Sequence, residues 1–432
     1  MKTLRFAIAA VAVVGSMSAF ATNARVESMG KNSSFIMDDI SIFDNPANIN
    51  LYPNFLIGEL GNYLHPSDSV RTGQNKDPLD AWFGGIFSLK ISADNSLSIA
   101  GVLNRKEERL LKYFPDWIMD NSGFAKKAPV PVTNFDGFLG ANLDNKAFGI
   151  HIYIAHQDGL TGDGIMSTDA FVSAVQLDLG TNIEISSDYA LEVSGGIARM
   201  QYGPRDRKFL ETDLFSEFFD ARMFSRIGAI NGHFIPVVFF RNMNAPGRDE
   251  LDVGGGVGVD AAFDRGFFWM GLKGFYNKQR AGSTWTKNSQ GQTIYTDDIT
   301  SRDTWGDART TLQQIGGTIS FGIERNIWWD WFVLRVGGQK VIAYADYSSS
   351  DAIGHSILCP TNVRGGCEPK GNYFVTNAPN DGTRSDNVGF GFGINIEEKL
   401  KIDATVAEDV MFRNPFQGEG RLISRISATY SF

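Results

Sequence analysis

Arg421-Leu422-Ile423-Ser424-Arg425-Ile426-Ser427-Ala428-Thr429-Tyr430-Ser431-Phe432 closes the chain. In an extended strand Leu422, Ser424, Ile426, Ala428, Tyr430 and Phe432 share one face, and Arg421, Ile423, Arg425, Ser427, Thr429 and Ser431 the other. This period of two, unbroken up to a terminal aromatic, is the pattern of a strand with lipid on one side and a polar interior on the other. The alternative is the last edge strand of a water-soluble β-protein, which a bare terminal Phe fits poorly.

The other end of the chain points the same way. Lys2 and Arg5 precede the apolar run Phe6 to Val14, and Ala19-Phe20-Ala21 supplies small residues for cleavage. Residues 1–21 are therefore expected to be a secretory signal peptide, with the mature chain starting at Thr22. No later stretch offers the run of about 20 apolar residues that a spanning helix needs. Strands are the remaining way across a bilayer. The end of the chain also resembles the C-terminal signature of bacterial outer-membrane barrels, in which a final Phe and a preceding aromatic are read by the assembly machinery. That resemblance implies an assembly role for Tyr430 and Phe432, and an integral place in the outer membrane of a Gram-negative cell.

Composition is compatible with this. The chain has 47 Gly and 33 Phe, and only 21% of its residues are charged. Glycine lets strands bend and pack closely, and aromatic residues suit lipid contact and interfacial girdles. The net charge of −9 argues against nucleic acid as a partner, since that needs a basic surface.

Alternation between turn residues gives fifteen candidate strands from about 54–63 to 420–432. A single-chain bacterial barrel has an even number, so one is surplus. Ser92-Ala93-Asp94, Asp144-Asn145-Lys146, Ser186-Ser187-Asp188, Asp264-Arg265 and Glu397-Glu398-Lys399 read as short periplasmic turns. The segment from Asn231 to Arg241 has Pro236 in its middle, which a paired strand tolerates poorly, and it is assigned to a loop. The expected fold is all-β, an antiparallel transmembrane barrel of about 14 strands over residues 54–432. A segment of residues 22–53 precedes it, and long extracellular loops join the strands.

The long connection from Gly203 to Arg248 is unusually apolar. Phe209, Leu210, Leu214, Phe215, Phe218, Phe219, Met223 and Phe224 recur at helical spacing, and Lys106 to Asp120 repeats the character with Leu110, Leu111, Phe114, Trp117 and Ile118. Exposed apolar surface of this extent covers something or binds something. Phe114, Trp117, Phe215, Phe218, Phe219 and Phe224 are thus candidates for capturing a hydrophobic ligand, or for a cap over the barrel mouth. Cys359 and Cys367 bracket Pro360, Gly365 and Gly366, a spacing suited to a loop-closing disulfide in an exported protein. Paired metal ligands are the alternative, with no nearby His or third Cys to complete a site.

Between the cleavage site and the first strand stand Arg25-Val26-Glu27-Ser28-Met29-Gly30 and Asp38-Asp39-Ile40-Ser41-Ile42-Phe43-Asp44-Asn45-Pro46-Ala47. An Arg and a Gly, then an acidic pair, an aromatic and Asn-Pro-Ala ahead of the first strand resemble the N-terminal region of FadL-type transporters and PorV-like outer-membrane proteins. Asn48 departs from the Gly that commonly follows there. The resemblance implies a hatch inside the barrel around Asp38, Asp39, Asn45, Pro46 and Ala47, with apolar outer loops admitting hydrophobic substrate. A merely structural plug at the periplasmic end is the alternative.

The lumen offers few candidates for catalysis. By parity His151 points inward and His156 lies near the outer rim, with no Ser and acid at a readable spacing, so no enzyme, cofactor or metal is expected. Lys90, Asp178, Glu184, Glu324, Arg335 and Arg425 share the inward face with His151, either pairing across the lumen or lining a polar path. Gly254 to Gly258 lies within a strand and is no dinucleotide fingerprint. The expected function is passive uptake of a hydrophobic or amphipathic small molecule. A scaffold docking exported proteins and a general porin are the alternatives. Expected partners are outer-membrane lipid and lipopolysaccharide, the assembly machinery and the small molecule.

Overall fold

In the computed structural model the described residues are 23–30, 32–60, 81–92, 94–111, 113, 117–119, 125–127, 133–158, 170–204, 210–211, 215–245, 248–282, 285–287, 293–295, 309–349, 358, 370–375, 387–397, 399–406 and 423–432. The signal peptide, Phe114, Cys359 and Cys367 lie outside them.

Sixteen antiparallel strands close into a barrel. They are β1 (Phe55–Leu60), β2 (Trp82–Lys90), β3 (Asn95–Leu103), β4 (Thr133–Leu143), β5 (Lys146–Asp158), β6 (Ala170–Ser186), β7 (Tyr189–Pro204) and β8 (Ser216–Ile227). The ring continues with β9 (Gly232–Ala245), β10 (Arg248–Phe263), β11 (Gly266–Gly282), β12 (Arg309–Asn326), β13 (Phe332–Ser349), β14 (Asn387–Ile396), β15 (Leu400–Val406) and β16 (Ile423–Ser431). Closure runs through β1 and β16, where Phe55 faces Ser431 and Leu60 faces Ile426. No edge of the ring is left to pair with another chain.

Short turns gather at one end. Asp144, Arg265 and Glu397 adopt positive φ of 53°, 58° and 52°, the backbone that tight hairpins require of a polar residue. The five turns read from the sequence all fall between strands that pair with each other.

Alternation is written into burial. On β5 His151, Tyr153 and Ala155 are buried, while Ile150, Ile152 and Ile154 are exposed. The outward row continues round the wall through Phe87, Ile99, Leu139, Phe219, Leu272 and Ile319. Leaving each such side chain in water rather than burying it would cost about 1.5–3 kcal/mol. A closed barrel with this outer belt is an integral outer-membrane protein.

The expectation of about 14 strands is corrected to sixteen, and both extra strands come from the supposed loop. The Gly203 to Arg248 connection folds largely as β8 and β9, joined through Gly228–Ile230. Phe218 and Phe224 belong to the inward-facing parity of β8, whereas Phe219 is exposed on the outside. These three therefore stand in the wall and not in an outer loop, and Phe215 immediately precedes the same strand at its long-connection end. Pro236 is tolerated because the β8–β9 pairing lapses there: Arg222 pairs with Val237 and Ser225 with Phe234, with no pairing in between.

Candidate functional site

Residues 23–30 and 32–52 lie inside the barrel without joining its sheet. Helix α1 (Asn23–Ser28) is followed by three short 3₁₀ turns, Ser33–Phe35, Asp39–Phe43 and Pro46–Leu51. Each turn begins on a side-chain cap: Asn32 accepts from the Ser34 N–H at 3.1 Å, Asp38 from Ile40 at 3.4 Å and Asn45 from Ala47 at 3.0 Å. Asn and Asp caps replace the hydrogen bonds that such short turns cannot make internally. Pro46 at the first position of its turn loses nothing by lacking an N–H.

The wall is shaped to receive this segment. A Cβ at Gly149 would overlap the backbone of Pro46 and Ala47, and one at Gly180 the side chain of Asn45. Gly337 and Gly389 stand likewise against Met29 and Glu27, and Gly258 and Gly271 against the ring of Phe35. These glycines serve close approach rather than bending.

Ion pairs fix the segment at its start. Arg25 meets Glu324 through Nε at 2.8 Å and Nη2 at 2.6 Å, and Asp38 through Nη1 at 3.4 Å. Arg335 continues the chain to Glu324 at 3.0 Å and Asp403 at 2.6 Å. Arg425 joins Glu27 at 3.2 Å and Glu59 at 3.3 Å. Asp39 differs from these: it is wholly buried and paired with the Asp38 carboxyl instead of an arginine. Burial pushes its pKa well up, and the neighbouring Asp38 adds to the rise. Burial raises Asp38 as well, against the pull of Arg25.

At its other end the segment meets the connection after β3. Arg105 lies over the Phe43 ring at 3.9 Å and binds Asp136 at 2.5 Å, while Arg109 donates to the Phe43 carbonyl at 2.9 Å. Glu107 ties the two arginines together at 3.0 Å and 2.9 Å. Burial opposes its charge, but Arg109 and Arg105 outweigh that and hold it below the usual carboxylate range. A single helical turn, Glu108–Leu111, then places Leu110 in a buried cluster with Tyr113, Tyr153, Met200 and Met243. This connection folds into the barrel and sits upon the N-terminal segment. Trp117, grouped with it in the sequence, belongs to a short strand Trp117–Met119 paired with Ala125–Lys127.

The titratable lumen residues divide between network and rim. His151, buried and stacked on Phe138, places Nδ1 at 2.6 Å from Asp178 and Nε2 at 2.9 Å from Asp136. Both acids were missed as its partners, although the Asp144-Asn145 turn sets a register that brings Asp136 within reach of His151. Lys90 and Glu184 share the inward parity of their strands but stand near the short-turn end, Lys90 exposed and Glu184 partly so. Tyr430 and Phe432 are exposed on the outside at the closing seam. Among the described residues no cluster of three or more His, Cys, Asp or Glu could hold a metal ion.

No protein-family model matches the chain, and neither does any curated protein. Solved outer-membrane structures resemble it at 8–11% identity. CdiB from Escherichia coli aligns over 88% of this chain with a TM-score of 0.40 at 8% identity, and this chain spans only 63% of CdiB. The CymD monoaromatic hydrocarbon channel aligns over 95% of this chain and 97% of its own at 9% identity, TM-score 0.37. The Pseudomonas putida toluene transporter TodX aligns over 94% and 95% at 10% identity, TM-score 0.32.

Proposed function

We propose that the barrel takes up hydrophobic or amphipathic small molecules passively, with residues 38–48 as the hatch and the connection around Leu110 and Tyr113 as its outer cover. The contact of Arg105 and Arg109 with Phe43 supports this reading, because it brings the connection after β3 onto the N-terminal segment inside the barrel, where a general porin keeps a water-filled path. The hatch is held by side chains and not by the sheet, so it can shift without opening the wall. Above it, the inner wall of β9 and β11 to β13 carries an apolar cluster in which Phe239, Phe275, Leu312, Val341 and Tyr347 pack together with Leu358, set among buried polar residues such as Asn277 and Gln279.

The test is conductance in planar bilayers and passage of a hydrophobic probe into liposomes, comparing the full chain with a variant lacking Asp38 to Asn48. A closed parent and an open, probe-permeable variant are expected. Steady conductance in both would identify a general porin. A second reading, a static scaffold docking exported proteins, draws on the density of ion pairs pinning Arg25. Silence in both proteins, with loss of partner retention, would favour it.

A further inference from the structure

One buried carboxylate holds both arginines that reach the hatch. Glu107, 4% exposed, accepts from Arg109 through Nε at 2.9 Å, Nη2 at 3.2 Å and the backbone N–H at 3.2 Å, and from Arg105 through Nη2 at 3.0 Å. The two guanidinium groups close on a single residue of the hatch, Arg105 over the Phe43 ring at 3.9 Å and Arg109 on the Phe43 carbonyl at 2.9 Å. Arg105 has a second holder in Asp136 on β4, at 3.1 Å from its Nε. Asp44, the second carboxylate paired with Arg109, is exposed and 4.0 Å away. Bonds between charged groups are about twice as strong as neutral ones, so the carboxylate of Glu107 decides whether Arg109 stays on Phe43.

Each closure also has seats of its own, away from this knot. The cover reaches from β4 to β10: the Glu107 N–H donates to the Tyr153 hydroxyl at 3.2 Å, Leu110 packs with Tyr153, Met200 and Met243, and the Tyr113 hydroxyl donates to Glu250 at 2.6 Å. The hatch is seated where Gly149 and Gly180 receive Asn45 to Ala47, and where Glu324 receives Arg25. Two bodies with separate seats and one charged joint between them share a coupling free energy, and its effect runs in both directions.

We infer that Glu107 joins cover and hatch into a single gate, so that loosening either one loosens the other. The inference rests on the uptake reading and adds its regulation. A molecule that lifts Leu110 or Tyr113 from the wall also withdraws Arg109 from Phe43, and the hatch below is freed before the molecule reaches it. Loosening the hatch from beneath loosens the cover by the same joint. Two independent plugs would show neither effect.

The test reads each closure with its own protease, on the full barrel in nanodiscs that leave both faces accessible. Trypsin cleavage after Lys106 reports the cover, and chymotrypsin cleavage after Phe43 reports the hatch, since residues 38–48 contain no Lys or Arg. At limiting protease both rates follow the open populations. Tyr113→Phe loosens the cover away from the knot, and Gly149→Leu loosens the hatch. Introduced singly into the parent, Tyr113→Phe should speed cleavage after Phe43, and Gly149→Leu cleavage after Lys106, each by at least about fivefold. On a Glu107→Gln background each should still loosen its own closure, while its effect on the other falls to within about twofold. Arg109→Gln, which removes the bond to the Phe43 carbonyl, should uncouple them in the same way and repeats the test if Glu107→Gln does not fold. Heat-modifiable mobility establishes which variants are folded. Cross effects missing from the parent overturn the inference, and so do cross effects that survive in the folded knot variants. Either result leaves uptake intact if the hydrophobic probe enters liposomes once Asp38 to Asn48 are deleted, whereas no passage in that variant removes the uptake reading itself.

Discussion

Arg25 and Glu324 are 299 residues apart in sequence and joined by two hydrogen bonds of 2.8 and 2.6 Å, the N-terminal segment supplying the guanidinium and β12 the carboxylate. The fork geometry matters because both partners are buried, and a lysine offers a point charge in place of two parallel donors. Removing one partner of a buried pair typically costs about 3–5 kcal/mol, since the other charge stays behind. Arg25→Met should therefore unseat the segment and raise channel open time by tenfold or more, with Arg25→Lys intermediate. An Arg25→Met channel as quiet as the parent would show that the pair does not hold the segment.

Gly149 tests the fit of the wall independently of charge. Its missing Cβ is the space into which the backbone of Pro46 and Ala47 comes. Gly149→Leu should displace the Asn45-Pro46-Ala47 turn and make the segment cleavable by added protease, while the barrel keeps its heat-modifiable mobility. Gly101→Ala is the control, because Gly101 faces outward and a Cβ there meets only a Phe135 ring carbon at 3.7 Å. Equal protease resistance in all three proteins would mean that the seat yields.

Alternation was legible in the sequence wherever the inner face is polar and the outer face apolar, as on β5 and β16. It failed on β8. There Phe218 and Phe224 face inward, Phe224 in a buried cluster with Phe35 and Ile36 of the N-terminal segment, and Phe219 faces lipid. A strand apolar on both faces loses its period of two and imitates a helix. Pro236 removed β9 by a sound local rule, but the lapse in β8–β9 pairing that accommodates it depends on a neighbouring strand. The candidate site was legible in part. Asp38, Asn45 and Pro46 carry their caps in the local sequence, whereas the His151–Asp178 pair and the Arg105–Phe43 contact exist only once strands and connections are brought together.

Acidity should act through Asp39. Its carboxyl is raised by burial and by Asp38, so the seated segment binds a proton more tightly than the released one does. The sign follows: the contribution to seating is full below the ordinary carboxylate pKa and is lost as pH rises through the raised value. Lys401 opposes the rise, and Asp403, two residues along the same strand, adds to it. Release, read as protease cleavage within residues 38–48, should increase with pH in the parent. Asp39→Asn should flatten most of that dependence, leaving the smaller share due to Asp38. An unchanged pH profile in Asp39→Asn would locate the titrating group elsewhere.

The closing seam gives the last expectation. Phe432 ends the chain 59% exposed, its N–H donating to the Asn54 carbonyl at 3.1 Å, so its backbone helps to close the ring while its side chain contributes little to packing. Phe432→Ala should thus leave the stability of the refolded barrel within about 0.5 kcal/mol of the parent, as surface substitutions usually do. If the side chain is read during assembly, the same substitution should cut the folded fraction in cells severalfold, measured by heat-modifiable mobility of outer-membrane extracts. Equal folded fractions in cells would remove the assembly role. A large loss of stability after refolding would assign Phe432 to the seam instead.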